Sequence, residues 1–181
     1  MWKYALACFA LVSNLAFAGP KVEMETNLGS IVIELNSQQA PVSVANFLKY
    51  VKDGSYVGTQ FHRVIPGFMA QGGGFDTNMN RADTYAPIKN EANNGLPNNV
   101  ATIAMARTND PNSATRQFFI NLADNDFLNA SSRPPGYAVF GEVVQGFDVV
   151  QEMARKPTHS VGRYRDVPVE AIVIKKVTLL D

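Results

Sequence analysis

Hydrophobic and polar residues alternate along most of the chain after residue 21. Residues 22–26 and 30–35 alternate on either side of Asn27-Leu28-Gly29, which predicts a β-hairpin. The period of two returns at residue 60 and predicts six further strands over residues 61–65, 68–71, 100–106, 117–121, 138–144 and 168–179. Strands therefore dominate the predicted secondary structure.

Two segments follow a helical period instead. Pro41–Lys52 has an apolar face, a proline suited to the first helical position and Gly54 just beyond its last turn. Residues 146–155 predict a second helix, and residues 72–98 predict a long loop rich in Gly, Asn and Asp. Because helices and strands do not alternate, we expect an antiparallel sandwich or barrel and favour a closed barrel capped by two helices.

The first 18 residues predict a secretory signal peptide. One lysine precedes an apolar run over residues 4–12, and Ala16-Phe17-Ala18 supplies the small-x-small cleavage pattern. The run is too short for a membrane span, which needs about 20 apolar residues. We expect cleavage to leave residues 19–181 as one domain without cysteine, which suits an exported protein in an oxidising compartment.

Composition excludes several classes of function. The chain has 16 basic and 16 acidic residues, so neither nucleic acid nor an anionic membrane is an expected partner. Its one cysteine and two histidines cannot form a zinc cluster or a disulfide framework. The sequence also lacks the motifs of nucleophilic hydrolases, nucleotide-binding loops and zinc peptidases. We therefore expect no metal and no cofactor.

One segment combines a permanent cation with large apolar side chains. In strand geometry Phe61, Arg63 and Ile65 share one face, which places the arginine at the edge of an apolar surface. After a Pro-Gly turn, the chain returns towards that face with Phe68, Met69 and Gln71.

The strand predicted over residues 117–121 adds a second part of this surface. Phe118 and Ile120 point to one face and are expected in the core, while Gln117 and Phe119 point to the other. A shallow apolar groove with one cation and two amides favours a peptide-binding site over a nucleophilic one.

The same residues resemble the sequence signature of the cyclophilins, a family of peptidyl-prolyl isomerases. The resemblance is strongest over residues 56–74 and covers about residues 21–180. It is carried by Phe61-His62-Arg63, Phe68-Met69-Ala70-Gln71-Gly72, Ile103-Ala104-Met105-Ala106, Gln117-Phe118-Phe119-Ile120, Phe127-Leu128 and Val139-Phe140-Gly141. With the predicted signal peptide, the chain is most similar to bacterial periplasmic members. The resemblance implies a mainly β fold, a closed eight-stranded antiparallel barrel capped by two α-helices.

The resemblance also implies a role for each candidate residue. Arg63 would be the catalytic residue, stabilising a twisted prolyl amide without a covalent intermediate, and Gln71 would orient it. The remaining candidates would bind substrate: Phe68, Met69, Phe119 and Leu128 around the proline ring, and Ala106, Arg107, Gln117, Phe127 and Tyr137 along the peptide. The implied activity is acceleration of X–Pro rotation in exported proteins as they fold.

Three positions depart from the commonest eukaryotic pattern of the family. Phe127 stands where many members have tryptophan, which argues against tight cyclosporin binding. Tyr137 stands where many have histidine, and it can still donate a hydrogen bond. Arg107 replaces an asparagine, and together with Arg116 it predicts a positive rim that would favour acidic substrate segments. The expected partners are proline-containing segments of exported proteins, and we expect a monomer.

Three other functions stay open. The protein could bind proline-rich segments without isomerising them, although Arg63 argues against this, or it could act mainly as a holding chaperone. It could also be a lipocalin-like carrier with a ligand inside the barrel. The large side chains of Phe118, Ile120 and Phe140 predict a filled interior and argue against a carrier.

Overall fold

The structure is a computed structural model that describes residues 19–132 and 134–180. Its elements follow in this order: β1 (Lys21–Thr26), β2 (Gly29–Leu35), α1 (Pro41–Lys52), β3 (Arg63–Ile65), β4 (Met69–Gly72), β5 (Thr102–Met105), β6 (Phe118–Asn121), a 3-10 turn (Asp126–Leu128), β7 (Val139–Gln145), α2 (Phe147–Met153), β8 (Thr158–Val161), β9 (Tyr164–Pro168) and β10 (Ile174–Leu180). The predicted signal peptide lies outside the described residues. No helix in the described part of the chain combines the length and hydrophobicity that crossing a bilayer requires.

Eight strands form one antiparallel sheet in the order β10-β1-β2-β7-β5-β6-β4-β3. The sheet curls through 213° into a half-barrel, so the predicted closed barrel is not confirmed. The opening lies between the edge strands β3 and β10, of which β3 is only three residues long. The chain just before β3 reaches the β10 side through separate backbone bonds, from Gly58 N to Ile174 O and from Phe61 N to Ile172 O, each 2.9 Å long. These bonds bridge the opening without forming a continuous ladder.

Aromatic rings occupy the interior of the curled sheet. The ring centroid of Phe47, on α1, lies 5.7 Å from that of Phe118 and 5.3 Å from that of Phe140. All three side chains are fully buried in one cluster with residues from both ends of the sheet. A carrier would hold its ligand in this space, so the packing argues against the lipocalin-like alternative.

Helix α1 has the bounds that the sequence predicts. Pro41 lies at its first position, and Asp53 closes it by donating its backbone N–H to the carbonyl of Lys49 at 3.1 Å. Gly54 follows with a φ of 73°, a left-handed conformation that glycine adopts without a steric penalty. The signals at both ends are local, which is why the sequence alone locates this helix.

A second hydrophobic cluster lies on the outer face of strands β4 to β7. Its buried members are Met69, Ala104, Phe119, Leu128 and Val139. On β6 the side chains alternate as predicted, since Phe118 and Ile120 belong to the interior cluster and Phe119 to the outer one. We call this set the outer cluster.

The position of Phe61 differs from the prediction. Strand β3 begins only at Arg63, and the ring of Phe61 lies in the interior, 5.8 Å from the ring of Phe118. Ile65, in contrast, packs against the outer cluster. Arg63 therefore shares a face with Ile65 and not with Phe61.

The hairpin of β8 and β9 is absent from the sequence prediction. Residues 168–179 were expected to be one strand, but β9 ends at Pro168 and β10 begins at Ile174. Strand β8 is almost entirely exposed and polar, so it shows no alternation of apolar residues. The hairpin forms its own two-stranded sheet and packs through β9 against β3, the strand that carries Arg63.

Candidate active site

Arg63 begins the edge strand β3 and faces out of the fold. Its strand partner is Gln71 on β4, and its side chain is 42% exposed. The Nε atom lies 3.8 Å from Oδ2 of Asp166 on β9. The guanidinium is therefore accessible to a ligand while one of its edges faces a carboxylate.

The two predicted amides lie together beside this arginine. Gln71 donates from Nε2 to Oε1 of Gln117 at 2.9 Å. Gly74 passes close to this pair, and a Cβ atom at position 74 would lie 2.4 Å from Cδ of Gln117. Because a side chain at position 74 would displace Gln117, the absence of one allows the amide pair to form. The predicted role of Gln71 in orienting Arg63 stays a prediction.

The outer cluster forms an apolar floor next to the amides. Met69, Phe119 and Leu128 are buried in it, whereas Phe68 and Tyr137 are partly exposed at its rim. The ring of Phe119 meets that of Tyr137 edge-on, with 5.8 Å between centroids. The floor is thus buried itself and ends at partly exposed side chains.

Phe127 extends this surface outward. Its ring lies 5.6 Å from that of Phe68, and the residue is 53% exposed, a large apolar surface for a soluble fold. It sits in the 3-10 turn that also supplies Leu128 to the cluster. An apolar ligand on the outer cluster would contact Phe127 at its edge.

The segment after β5 forms the opposite rim. The backbone N–H of Ala106 donates to the carbonyl of Gln117 at 3.0 Å, which aligns the two chains beside the amide pair. Arg107 donates to the carbonyl of Gly136 from Nη2 at 2.9 Å, and its guanidinium lies 4.3 Å from the ring centroid of Tyr137. All candidate residues other than Arg63 are thus linked, directly or through one neighbour, on one surface.

Arg116 is not part of the positive rim that the sequence predicts. It is only 2% exposed and donates to three backbone carbonyls: Nε to Gly73 at 2.6 Å, Nη1 to Asp83 at 2.6 Å and Nη2 to Ser55 at 2.5 Å. The guanidinium also lies near the rings of Tyr50 and Tyr56, at 5.0 and 5.4 Å. The prediction that Arg116 meets substrate is wrong, because the guanidinium is buried and donates its hydrogen bonds to backbone carbonyls inside the protein.

Comparison with known proteins decides the family. Residues 21–179 match the family described as cyclophilin type peptidyl-prolyl cis-trans isomerase/CLD. The chain belongs to this family. Among its relatives, a peptidyl-prolyl cis-trans isomerase of Acinetobacter baylyi is 57% identical over 169 residues, covering 93% of this chain and 90% of the relative. Peptidyl-prolyl cis-trans isomerase B of Escherichia coli is 53% identical over 161 residues, covering 87% of this chain and 98% of the relative.

Solved cyclophilin structures share the fold. A crystal structure of a cyclophilin type peptidyl-prolyl cis-trans isomerase from Cryptosporidium parvum has a TM-score of 0.73 at 26% identity, covering 90% of this chain and 98% of that one. A second structure of that protein, determined in the presence of the dipeptide Ala-Pro, also has a TM-score of 0.73 and covers 89% of this chain and 99% of that one. The half-barrel with two helices is therefore the cyclophilin fold.

His62 lies directly before strand β3 of this cyclophilin. It is buried, its ring centroid is 4.5 Å from that of Phe75, and its Nδ1 atom has no hydrogen-bond partner among the described residues. The pKa of His62 is lowered to about 4, mainly by burial and in smaller part by the positive charges of Arg63 and Arg81. The imidazole is therefore neutral near pH 7, and its ring packs against that of Phe75.

The sequence interpretation missed three residues of the site. Ala104 and Val139 complete the floor, and alternation along β5 and β7 could have identified them, since Ile103 and Phe140 next to them are interior residues. Asp166 carries no comparable signal. It meets Arg63 only because a hairpin distant in sequence folds against β3.

Proposed function

We propose that this cyclophilin accelerates rotation about X–Pro peptide bonds in exported proteins, with Arg63 as its catalytic residue. The uncatalysed barrier is about 18–20 kcal/mol, because resonance gives the C–N bond partial double-bond character. The cis and trans ground states of an X–Pro bond are close in energy, so the obstacle is kinetic. No covalent bond has to break, and a nucleophile is not required.

The observation that carries the proposal is an accessible guanidinium on β3 whose strand partner, Gln71, belongs to the amide pair beside the apolar floor. The apolar side chains of Met69, Phe119 and Leu128 suit contact with a proline ring, and the peptide would then pass the Gln71–Gln117 pair. As the amide twists, the proline nitrogen regains its lone pair and becomes a hydrogen-bond acceptor. The permanent charge and fixed donors of Arg63 would stabilise this state more than the planar one.

Exclusion of water by the floor would strengthen the same effect. A charge acting beside buried apolar side chains is screened less than one in bulk solvent, so each hydrogen bond from Arg63 would contribute more to the twisted state. Preorganised electrostatics and ring binding are the two parts of the proposed mechanism. Related members of the family share this activity by name.

The test compares wild type with Arg63→Ala in an NMR exchange or protease-coupled assay on a proline peptide. Removal of one preorganised donor typically costs a factor of about 100 or more in rate, and we expect a loss of that size. Arg155→Ala is the matched control, because the Arg155 side chain is 74% exposed and pairs only with its helix neighbour Glu152 among the described residues. If wild type and Arg63→Ala both isomerise the peptide only at the uncatalysed rate, the proposed activity is contradicted. A binding module or a holding chaperone would then be the remaining explanation.

We also propose that the protein works in the periplasm after cleavage behind Ala18. Support comes from the signal pattern of the first 18 residues and from the family match, which begins at residue 21, just beyond the predicted cleavage site. Mass spectrometry of protein from a periplasmic fraction should give a chain that starts at Gly19. An uncleaved chain found in the cytoplasm would contradict the proposal.

Weak cyclosporin binding is a further part of the proposed function. Phe127 is the exposed ring at the edge of the floor, and it lacks the indole N–H that tryptophan would offer a ligand. Phe127→Trp should therefore bind cyclosporin more tightly than wild type in a fluorescence titration. Equal affinities would show that this position does not limit the binding.

Sedimentation analysis of the same samples tests the expected monomer.

A further inference from the structure

We propose that Asp166 is a positioning residue, which the β8–β9 hairpin brings to Arg63 to hold its guanidinium towards the substrate. The inference rests on the proposed catalytic role of Arg63. The β8–β9 hairpin and Asp166 itself lie outside the segments that carry the sequence resemblance.

The first observation is how the two side chains meet. Asp166 approaches Nε of Arg63 at 3.8 Å, and it is the only carboxylate within 4.0 Å of this guanidinium among residues 19–132 and 134–180. A contact at Nε leaves the two terminal nitrogens free to donate elsewhere. Because ordering a long arginine side chain costs rotamer entropy, an arginine whose movement Asp166 limits would lose less of it on binding substrate.

The second observation is the backbone of Asp166. Its φ is 59°, a left-handed conformation that is uncommon for residues other than glycine and best tolerated by Asn and Asp. The hairpin register shifts between His159 and Val161, opposite this position. Such irregularities bend a strand and redirect a side chain. Here the neighbouring residue Val167 is buried, while Asp166 stays partly exposed beside Arg63.

The alternative is an ordinary surface ion pair without a role in the reaction. Both side chains are about two-fifths exposed, and such pairs contribute little to stability. An incidental pair, however, does not require its carboxylate to adopt a strained backbone in an irregular part of a hairpin. The combination favours a functional constraint on where the carboxylate lies.

The experiment uses two substitutions that keep the backbone conformation. Asp166→Asn removes the charge, and Asp166→Gly removes the side chain, while both residues accept a positive φ. At saturating and subsaturating peptide, we expect kcat to fall about two- to fivefold in both variants, the range that an exposed ion pair can supply. KM should change less than about twofold, because the proline floor is untouched.

Glu170→Gln is the matched control. Glu170 is an exposed acid two residues beyond β9, so its substitution changes the net charge by the same amount and should leave kcat unchanged. In an Arg63→Ala background, Asp166→Asn should cause no additional loss, because the carboxylate then has no guanidinium to hold.

A spectroscopic measurement separates this proposal from the proposed function. The side-chain Nε–Hε resonance of Arg63 should shift in Asp166→Asn and keep its position in Glu170→Gln. An unchanged resonance, an unchanged kcat in both Asp166 variants, or an equal loss in the Arg63→Ala background would overturn the positioning role. If wild type and Arg63→Ala are equally inactive, the proposed function fails instead, and the resonance still tests the contact.

Discussion

Strand β6 presents an aromatic ring to each side of the sheet, and the two rings lie in different surroundings. Phe118 faces the interior, where the rings of Phe47, Tyr56 and Phe61 approach it edge-on at 5.5 to 5.8 Å. Phe119 faces the outer cluster, where Tyr137 is its ring neighbour at 5.8 Å and the rim is partly exposed. Both residues are themselves buried.

The difference shows that burial alone does not distinguish a core from a binding surface. The interior ring is enclosed by partners on several sides, so its contacts are complete within the protein. The outer ring rests on a floor that is covered from below and ends at exposed side chains, so one further apolar group can still pack there. Completeness of packing separates the two faces.

The largest expected effect comes from emptying the enclosed side. Phe118→Ala should lower the free energy of unfolding by about 3–5 kcal/mol, because it leaves a cavity among rings that cannot close around it. Urea denaturation followed by circular dichroism measures the change. A loss below about 1 kcal/mol would mean that the interior rearranges readily, and the contrast between the faces would not hold.

The second effect concerns His62, which is buried beside Phe75 and outside the interior cluster. An unfolded histidine has a pKa of 6.5, whereas buried His62 has a pKa of about 4, so the unfolded chain binds a proton that the folded chain does not. The free energy of unfolding should therefore decline as pH falls from 6.5 to 4, with up to about 3 kcal/mol due to this group. His62→Phe should flatten that part of the profile. Parallel pH profiles for the two proteins would contradict the burial effect.

The third effect appears on the open side. Phe119→Ala should raise KM for a proline peptide about tenfold, because the proline ring of the peptide loses part of the apolar surface that it would contact. Steady-state kinetics by NMR exchange measures KM and kcat separately. Phe118→Ala provides the comparison, because this interior variant should lose stability and keep the KM of wild type. A similar increase of KM in both variants would contradict the difference between the two faces.

The smallest effect comes from the amide pair at the edge of the floor. In Gly74→Ala the new methyl group would collide with Gln117 and separate it from Gln71, which should lower kcat/KM about threefold, the worth of one ordinary hydrogen bond. The same substitution made in Gln117→Ala should have no further effect on kcat/KM. A loss of equal size in both backgrounds would locate the cause elsewhere.

Much of this architecture could be predicted from local patterns. The ends of α1 follow from Pro41 and Gly54, and the division of β6 into an inner and an outer face follows from alternation alone. The candidate site residues other than Arg63 were likewise grouped by strand periodicity and resemblance, and the structure places them on one surface, where their roles remain to be tested.

The errors came from contacts between segments far apart in the sequence. Arg116 has the polarity of a surface residue, but carbonyls from three separate loops satisfy its donors and allow its burial. The β8–β9 hairpin has a solvated strand without apolar alternation, so nothing local predicts it or the position of Asp166. The predicted closure of the barrel is not confirmed, and the sheet ends at the short edge strand β3.

The buried Arg116 also has a consequence for how the molecule opens. Its three acceptor carbonyls belong to residues 61, 43 and 33 positions earlier in the chain, so one side chain ties together loops that local structure leaves independent. Release of that guanidinium would leave its donors and the three carbonyls without hydrogen-bond partners at the same time. We therefore expect the amide protons of these loops to exchange with deuterium as one cooperative unit, with a common free energy of opening.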